Sequence, residues 1–377
     1  MYQLTMKARY NLHSSGLQPL SERSAEQSSI ARRLEESLYW SCFKSECEFR
    51  VELPLPQSEV ATYHHPQLFP SPPLPARTQN GGLPSAREDP LSADATRDTH
   101  DKLHGVDNLC NEEESWYYYL TEIALRRIGN RIINTFFRQE PVKWMDIKPL
   151  LGIALEFDTQ LSAWSANLPS AMKTLETSRT IRNPMLAFSP SADRSHVSRE
   201  LSWALENRLL EARSWLYQPF LYWLIHYPIK IGLPSPTYPR NGPPPLDDFL
   251  SATNNLLDAE SSSILYSLIV SGIDCNLRIL DLRSIRHRHH GLWFDLRSAA
   301  CASVVLLAIL KSGNDHWIPS DSHATSGGDI YSRVEQPLLG RKLDEVLVEH
   351  EYWVPECPQL MKQRDVLKDA IAYVRKL

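Results

Sequence analysis

Five groups of residues in this chain place chemically capable side chains close together. Asp247 and Asp248, in the run PPPLDDFL, offer two carboxylates to a divalent metal, as in the aspartate-rich magnesium site of an all-helical terpene synthase. A diphosphate-bound metal needs further carboxylates one turn on, and Leu250, Ser251 and Ala252 follow instead. The pair therefore reads as acidic groups at a helix start, where they meet the positive end of the helix dipole. His287, Arg288, His289 and His290 form the densest imidazole cluster. Consecutive helical residues point in different directions, and no carboxylate or cysteine stands at a fitting offset, so this run reads as a polar helix end. His64 and His65 lie within a proline-rich stretch and make a weaker pair. Cys42 and Cys47 lie well apart around a helix axis and read as small hydrophobes of a core rather than as a redox pair.

The fifth group is aromatic. Trp215, Tyr217, Phe220, Tyr222 and Trp223 follow one another closely, and Trp293 adds a ring from later in the chain. Large rings with polar edges suit small apolar ligands, which makes Trp215, Tyr217, Tyr222, Trp223 and Trp293 the candidate lining of an effector pocket. The plainer reading of such a stripe is core packing. No G-x-S-x-G elbow, phosphate loop or dinucleotide fingerprint occurs, so the chain is expected to have no catalytic residues and no metal or cofactor site of its own.

The elements that must position these residues are helices. Leu34, Leu38 and Cys42 share one face at i, i+4 spacing while Tyr39 and Phe43 share a second, so the segment from Arg33 to Arg50 reads as a helix packed on more than one side. Pro54 and Pro56 end it. From Leu53 to Asn108 prolines, the Gly81-Gly82 pair and a charged run replace any apolar period, which predicts a disordered insert. Asn111 and three glutamates mark the next helix start, followed by a stripe of Tyr118, Leu125, Ile128, Ile132 and Phe136. Pro141 ends that helix, and its hairpin partner is predicted from about Trp144 to Leu161. A further helix runs from near Ser195 to Pro219, where the proline predicts a bend near Tyr217 and a second short helix to Tyr227. Leu246 to Arg286, Gly291 to Lys311, Val334 to Tyr352 and Pro358 to Lys376 complete the helical pattern, the second of these apolar on nearly every face from Cys301 to Leu310. The expected fold is all-α: an irregular multi-helix domain with long proline-rich insertions. Residues 1–29 read as a polar lead-in, 30–53 as one helix of a truncated regulatory domain, 54–110 as the insert and 111–377 as the main helical domain.

Composition narrows the function classes. A formal charge of -5 gives this chain no electrostatic footprint for nucleic acid, because such affinity rests on phosphate neutralisation by Lys and Arg. Its six cysteines never stand in the C-x-x-C spacing that lets two thiolates share a zinc, and with no signal-peptide run a reducing intracellular compartment fits best. Ala299 to Leu310 is the closest approach to a membrane span and is too short, so no membrane partner is expected.

The helix carrying W-S-C-F-K-S-E-C-E-x-R before E-L-P-L-P resembles the middle homology region of fungal zinc binuclear cluster transcription factors. The stretches WYYYLTEIALRRIGNRIINTFFR (Trp116 to Arg138), EARSWLYQPFLYWLIH (Glu211 to His226) and HHGLWFDLRSAACASVVLLA (His289 to Ala308) extend the likeness over most of the helical sequence. That resemblance implies an all-helical regulatory domain in the nucleus, acting by intramolecular inhibition, by sensing a small-molecule effector or by contact with transcriptional machinery and regulatory proteins. It also implies earlier helices and a zinc-bearing DNA-binding module ahead of Met1, so zinc and DNA are expected only through that missing module. The alternatives are an all-helical small-molecule enzyme such as a terpene synthase relative, or a helical interaction scaffold.

Overall fold

The computed structural model describes residues 38–47, 49–50, 97–168, 196–227, 242–281, 291–319 and 338–374. Among these residues every regular element is helical, as the periodicity predicts. The chain divides into two compact units, Met1–Arg127 and Ile128–Leu377. The division falls inside one long helix, so it does not coincide with the boundary expected at Asn111.

In the first unit, α1 (residues 38–47) buries Tyr39, Trp40, Cys42, Phe43 and Cys47 in one cluster with Ile123. Ile123 belongs to α2 (Arg97–Phe136). Trp40 is fully buried, with Tyr39 and Phe43 set edge-on to it at 4.9 and 5.8 Å. A helix therefore forms here, its buried side chains gathered in this one cluster, and burying rings of this size contributes roughly 1.5–3 kcal/mol each. Charged groups close over the cluster. Arg127 lies 5.6 Å from the Trp40 ring and 5.9 Å from that of Phe43. Glu122, nearly buried, pairs with Lys44 of α1 and with Arg126 one turn along α2.

In the second unit the end of α2 pairs with α3 (Lys148–Ala166), and a 3-10 turn at Pro141–Met145 joins them. Phe136 meets Phe157 at 6.2 Å and Arg131 donates to Gln160 at 3.0 Å, the register of an antiparallel hairpin. The turn is pinned by Trp144, whose indole N–H donates to the Phe136 carbonyl at 3.0 Å. Next comes α4 (His196–His226), a 31-residue helix. Pro219 lies inside it, so the chain does not start a separate short helix there. Leu216, Phe220 and Leu224 on either side of the proline are fully buried, and this packing outweighs the single backbone bond that proline removes.

The long helix expected from Leu246 to Arg286 is two helices, α5 (Leu246–Thr253) and α6 (Ala259–Leu280). Asp258 makes the break: its side chain accepts from the Ser261 N–H at 2.9 Å and caps α6. α7 (Leu292–Lys311) follows, then a 3-10 turn at Asp315–Trp317, α8 (Leu338–Trp353) and α9 (Gln359–Val374). The most extensive packing is between α4 and α6, and α7 lies against α4, α6, α8 and α9. α7 leaves Cys301 and Val304 exposed, so it is less enclosed than its composition suggests. By length and composition α6 and α7 are both long and apolar enough to cross a membrane, contrary to the expectation that the most apolar stretch is too short. Here they are packing helices of the second unit.

Helix α2 starts at Arg97, ahead of the Asn111 cap and inside the stretch expected to be a disordered insert. The rest of that stretch, the polar lead-in, His64, His65 and the run from His287 to His290 lie outside the described residues.

Candidate functional site

α4 carries most of the sequence-predicted site residues and distributes them around its circumference. Trp215 lies against Gly129 of α2, where a Cβ would come within 3.1 Å of its ring. Tyr217 is buried, and its phenol donates to Asp158 of α3 at 2.5 Å. Burial, followed by this bond and the carboxylate's charge, pushes the Tyr217 phenol well above its ordinary value. Phe220 is wholly buried and Trp223 nearly so. Tyr222 packs edge-on to Trp144 at 5.5 Å and against His226 at 4.1 Å, while Trp223 stacks on Tyr227 at 4.8 Å. Trp293 belongs to another cluster on α7, with Leu296, Trp353 and Leu360. Tyr222 thus joins Trp144 and His226, Trp223 joins Tyr227, and Trp215, Tyr217 and Trp293 have separate partners.

Sequence reading missed a polar junction where α4 meets α7. Glu211 of α4 is 5% exposed. Its carboxylate receives Arg208 Nη1 at 3.0 Å and the Ser298 hydroxyl at 3.2 Å, with Arg297 Nη2 at 3.5 Å. Asn207 donates to Asp295 Oδ2 at 2.7 Å. Both guanidinium groups also face the Phe294 ring, at 4.4 Å for Arg208 and 5.5 Å for Arg297. Burial pushes the Asp295 carboxyl up to about 7, with a further push from Glu211, while Arg208 and the Asn207 bond hold it back. Chemically, the junction can take up or release a proton near neutrality. The Arg208–Glu211 pair has a visible i, i+3 spacing, but its partners on α7 are 86 or more positions away in sequence and no local pattern joins them.

The other candidates resolve as follows. Asp247 and Asp248 are exposed in the first turn of α5, which Pro245 precedes without a side-chain cap. Cys42 and Cys47 are both buried inside the first unit's core. Cys275 is buried, donates to the Leu210 carbonyl at 3.3 Å, and has its thiol pushed up to about 12 by burial. Among the described residues no three His, Cys, Asp or Glu side chains converge as metal ligands would.

In comparisons with known proteins, no family model matches the chain, and neither a curated protein nor a solved structure matches it. Fold and site together define an all-α protein whose polar groups are spent on joining helices.

Proposed function

We propose that this chain is a transcription regulator, the helical regulatory domain of a fungal zinc-cluster-type factor that reaches DNA through a module outside this chain. One observation supports the reading above others: the stretches that carry the resemblance are packing helices. The W-S-C-F-K-S-E-C run is α1, with Tyr39, Trp40, Cys42, Phe43 and Cys47 buried together, and the other stretches fall on α2, α4 and α7. A regulatory domain of this kind works through shape and surface, in the nucleus, on transcriptional machinery or regulatory proteins. Within the same reading an apolar effector would be received at the end of α4, beside the Tyr222–Trp144 pair. Tyr217 would take no part, being committed to Asp158.

The experiment is tethering. The full chain is fused to an unrelated zinc-cluster DNA-binding module and expressed in a fungal host carrying a reporter with the matching site. The expected result is a several-fold change in reporter output relative to the module alone, in either direction. Unchanged output at equal nuclear abundance contradicts the proposal.

A further inference from the structure

Pro243, Pro244 and Pro245 lead into α5, and the middle one is buried while Pro243 and Leu246 are exposed. The Pro244 carbonyl accepts from the Tyr266 hydroxyl of α6 at 2.8 Å. Pro245 has φ -53° and ψ 141°, in the polyproline II region, and its own carbonyl accepts from the Phe249 N–H of α5 at 3.2 Å. Tyr266 is one of three rings that close on one another. It lies 5.5 Å from Phe249 and 5.6 Å from Trp317 of the second 3-10 turn, and Phe249 and Trp317 are 5.6 Å apart. Phe249 and Trp317 are fully buried, and the indole Nε1 of Trp317 has no hydrogen-bond partner among the described residues. Beyond the proline run α5 is fastened to α6 by Thr253, whose hydroxyl meets that of Ser262 at 2.9 Å.

A polyproline II segment has no internal hydrogen bonds, and its prolines have no N–H, so it presents carbonyls alone. Its receptor needs donors set among flat apolar rings and no acceptors. Tyr266 and Trp317 supply two such donors, the indole being a donor only, and Phe249 completes the aromatic wall. The run already seated here satisfies one donor of the two. Pro244 serves Tyr266, Pro245 serves the first turn of α5, and the chain turns helical at Leu246, so the Trp317 N–H is left without an acceptor. A buried donor in that state is costly, and a longer proline run has a further carbonyl to offer it.

We propose that Phe249, Tyr266 and Trp317 form a recognition site for a proline-rich segment of another protein, bound in the polyproline II conformation, and that Pro243–Pro245 is a built-in ligand which such a segment displaces. The built-in run identifies the class of occupant: the residue it buries is a proline, held through its carbonyl by an aromatic hydroxyl. Displacement exchanges like for like at Tyr266 and adds one hydrogen bond at Trp317. An incoming polyproline II segment is already extended, so little further ordering opposes its binding. The site does not require the chain to be a transcription regulator.

The test is a titration of octaproline into the full chain labelled with nitrogen-15 at its tryptophans, followed through the indole N–H resonances. In the wild type one indole resonance, the one missing from Trp317→Phe, is expected to move downfield and saturate, while a glycine-serine peptide of equal length leaves it in place. Replacing Pro243→Gly and Pro244→Gly together loosens the built-in ligand and is expected to tighten octaproline binding several-fold. Trp317→Phe removes the donor that only the longer ligand uses and is expected to weaken binding several-fold. A wild type whose indole resonances do not move overturns the proposal, as does an equal response to the glycine-serine peptide. Unchanged affinity in the double-glycine chain, or in Trp317→Phe, overturns it as well. Should either variant fail to fold, the wild-type titration of the two peptides decides alone.

Discussion

Asp295 and Glu211 place two carboxyl groups in the same packed junction. Glu211 takes Arg208, Arg297 and Ser298, and Asp295 takes the amide of Asn207 and feels the field of Arg208. Because the folded carboxyl is raised to about 7 from an ordinary value of about 3.9, its contribution to stability is complete below pH ~4 and is lost as pH rises towards 7. Asp295→Asn keeps the shape, can still accept from Asn207, and does not ionise. It is expected to exceed the wild type by about 1–3 kcal/mol at pH 7.5, with the advantage shrinking as pH falls to 4. Urea melts at several pH values check this, and an advantage independent of pH counts against it. Tyr217→Phe is expected to cost about 1–2 kcal/mol in the same melts, since it deletes the bond to Asp158 and leaves that carboxylate short of a donor. Residue types alone sorted the cysteines and the Asp247–Asp248 pair correctly, because a buried thiol and an acidic helix start are local properties. They did not expose the Glu211 junction, which depends on which helices meet.

At the scale of elements, close approach of helices explains features that periodicity cannot. Gly272 of α6 lies where a Cβ would come within 2.9 Å of the Tyr217 Cβ and 3.2 Å of Leu221 Cγ. Ordinary helix propensity favours Gly272→Ala by about 1 kcal/mol, but overpacking costs about 1–3 kcal/mol, so a net loss is expected. A thermal melt in which the variant gains stability would show that α4 and α6 can move apart. α1 is the opposite case. Its spacing already predicts a buried helix, and Trp40→Ala is expected to cost about 3–5 kcal/mol, read as lost protection of residues 38–47 and 116–127 in hydrogen exchange. The hairpin of α2 and α3 and the tail helices were readable from apolar spacing and prolines because each is long and amphipathic. The unbroken α4 was not, since proline's local penalty is outweighed by packing that the sequence does not display. The split between α5 and α6 was also missed: Asp258 is a recognisable cap only once the chain is seen to turn there.

For the whole molecule, the negative balance of charge, the burial of the resemblance-bearing helix and the spending of polar groups on helix contacts all favour a protein that works through its surfaces. The enzyme reading and the regulator reading differ in which residues activity should need. The direct measurement is reporter output from the tethered chain, taken beside a Trp40→Ala chain and an Asp247→Asn, Asp248→Asn chain at equal nuclear abundance. A regulator whose α1 organises its first unit predicts that Trp40→Ala abolishes the effect on the reporter and that the double carboxylate variant retains it. An effect that survives Trp40→Ala and disappears with the two carboxylates would contradict the account.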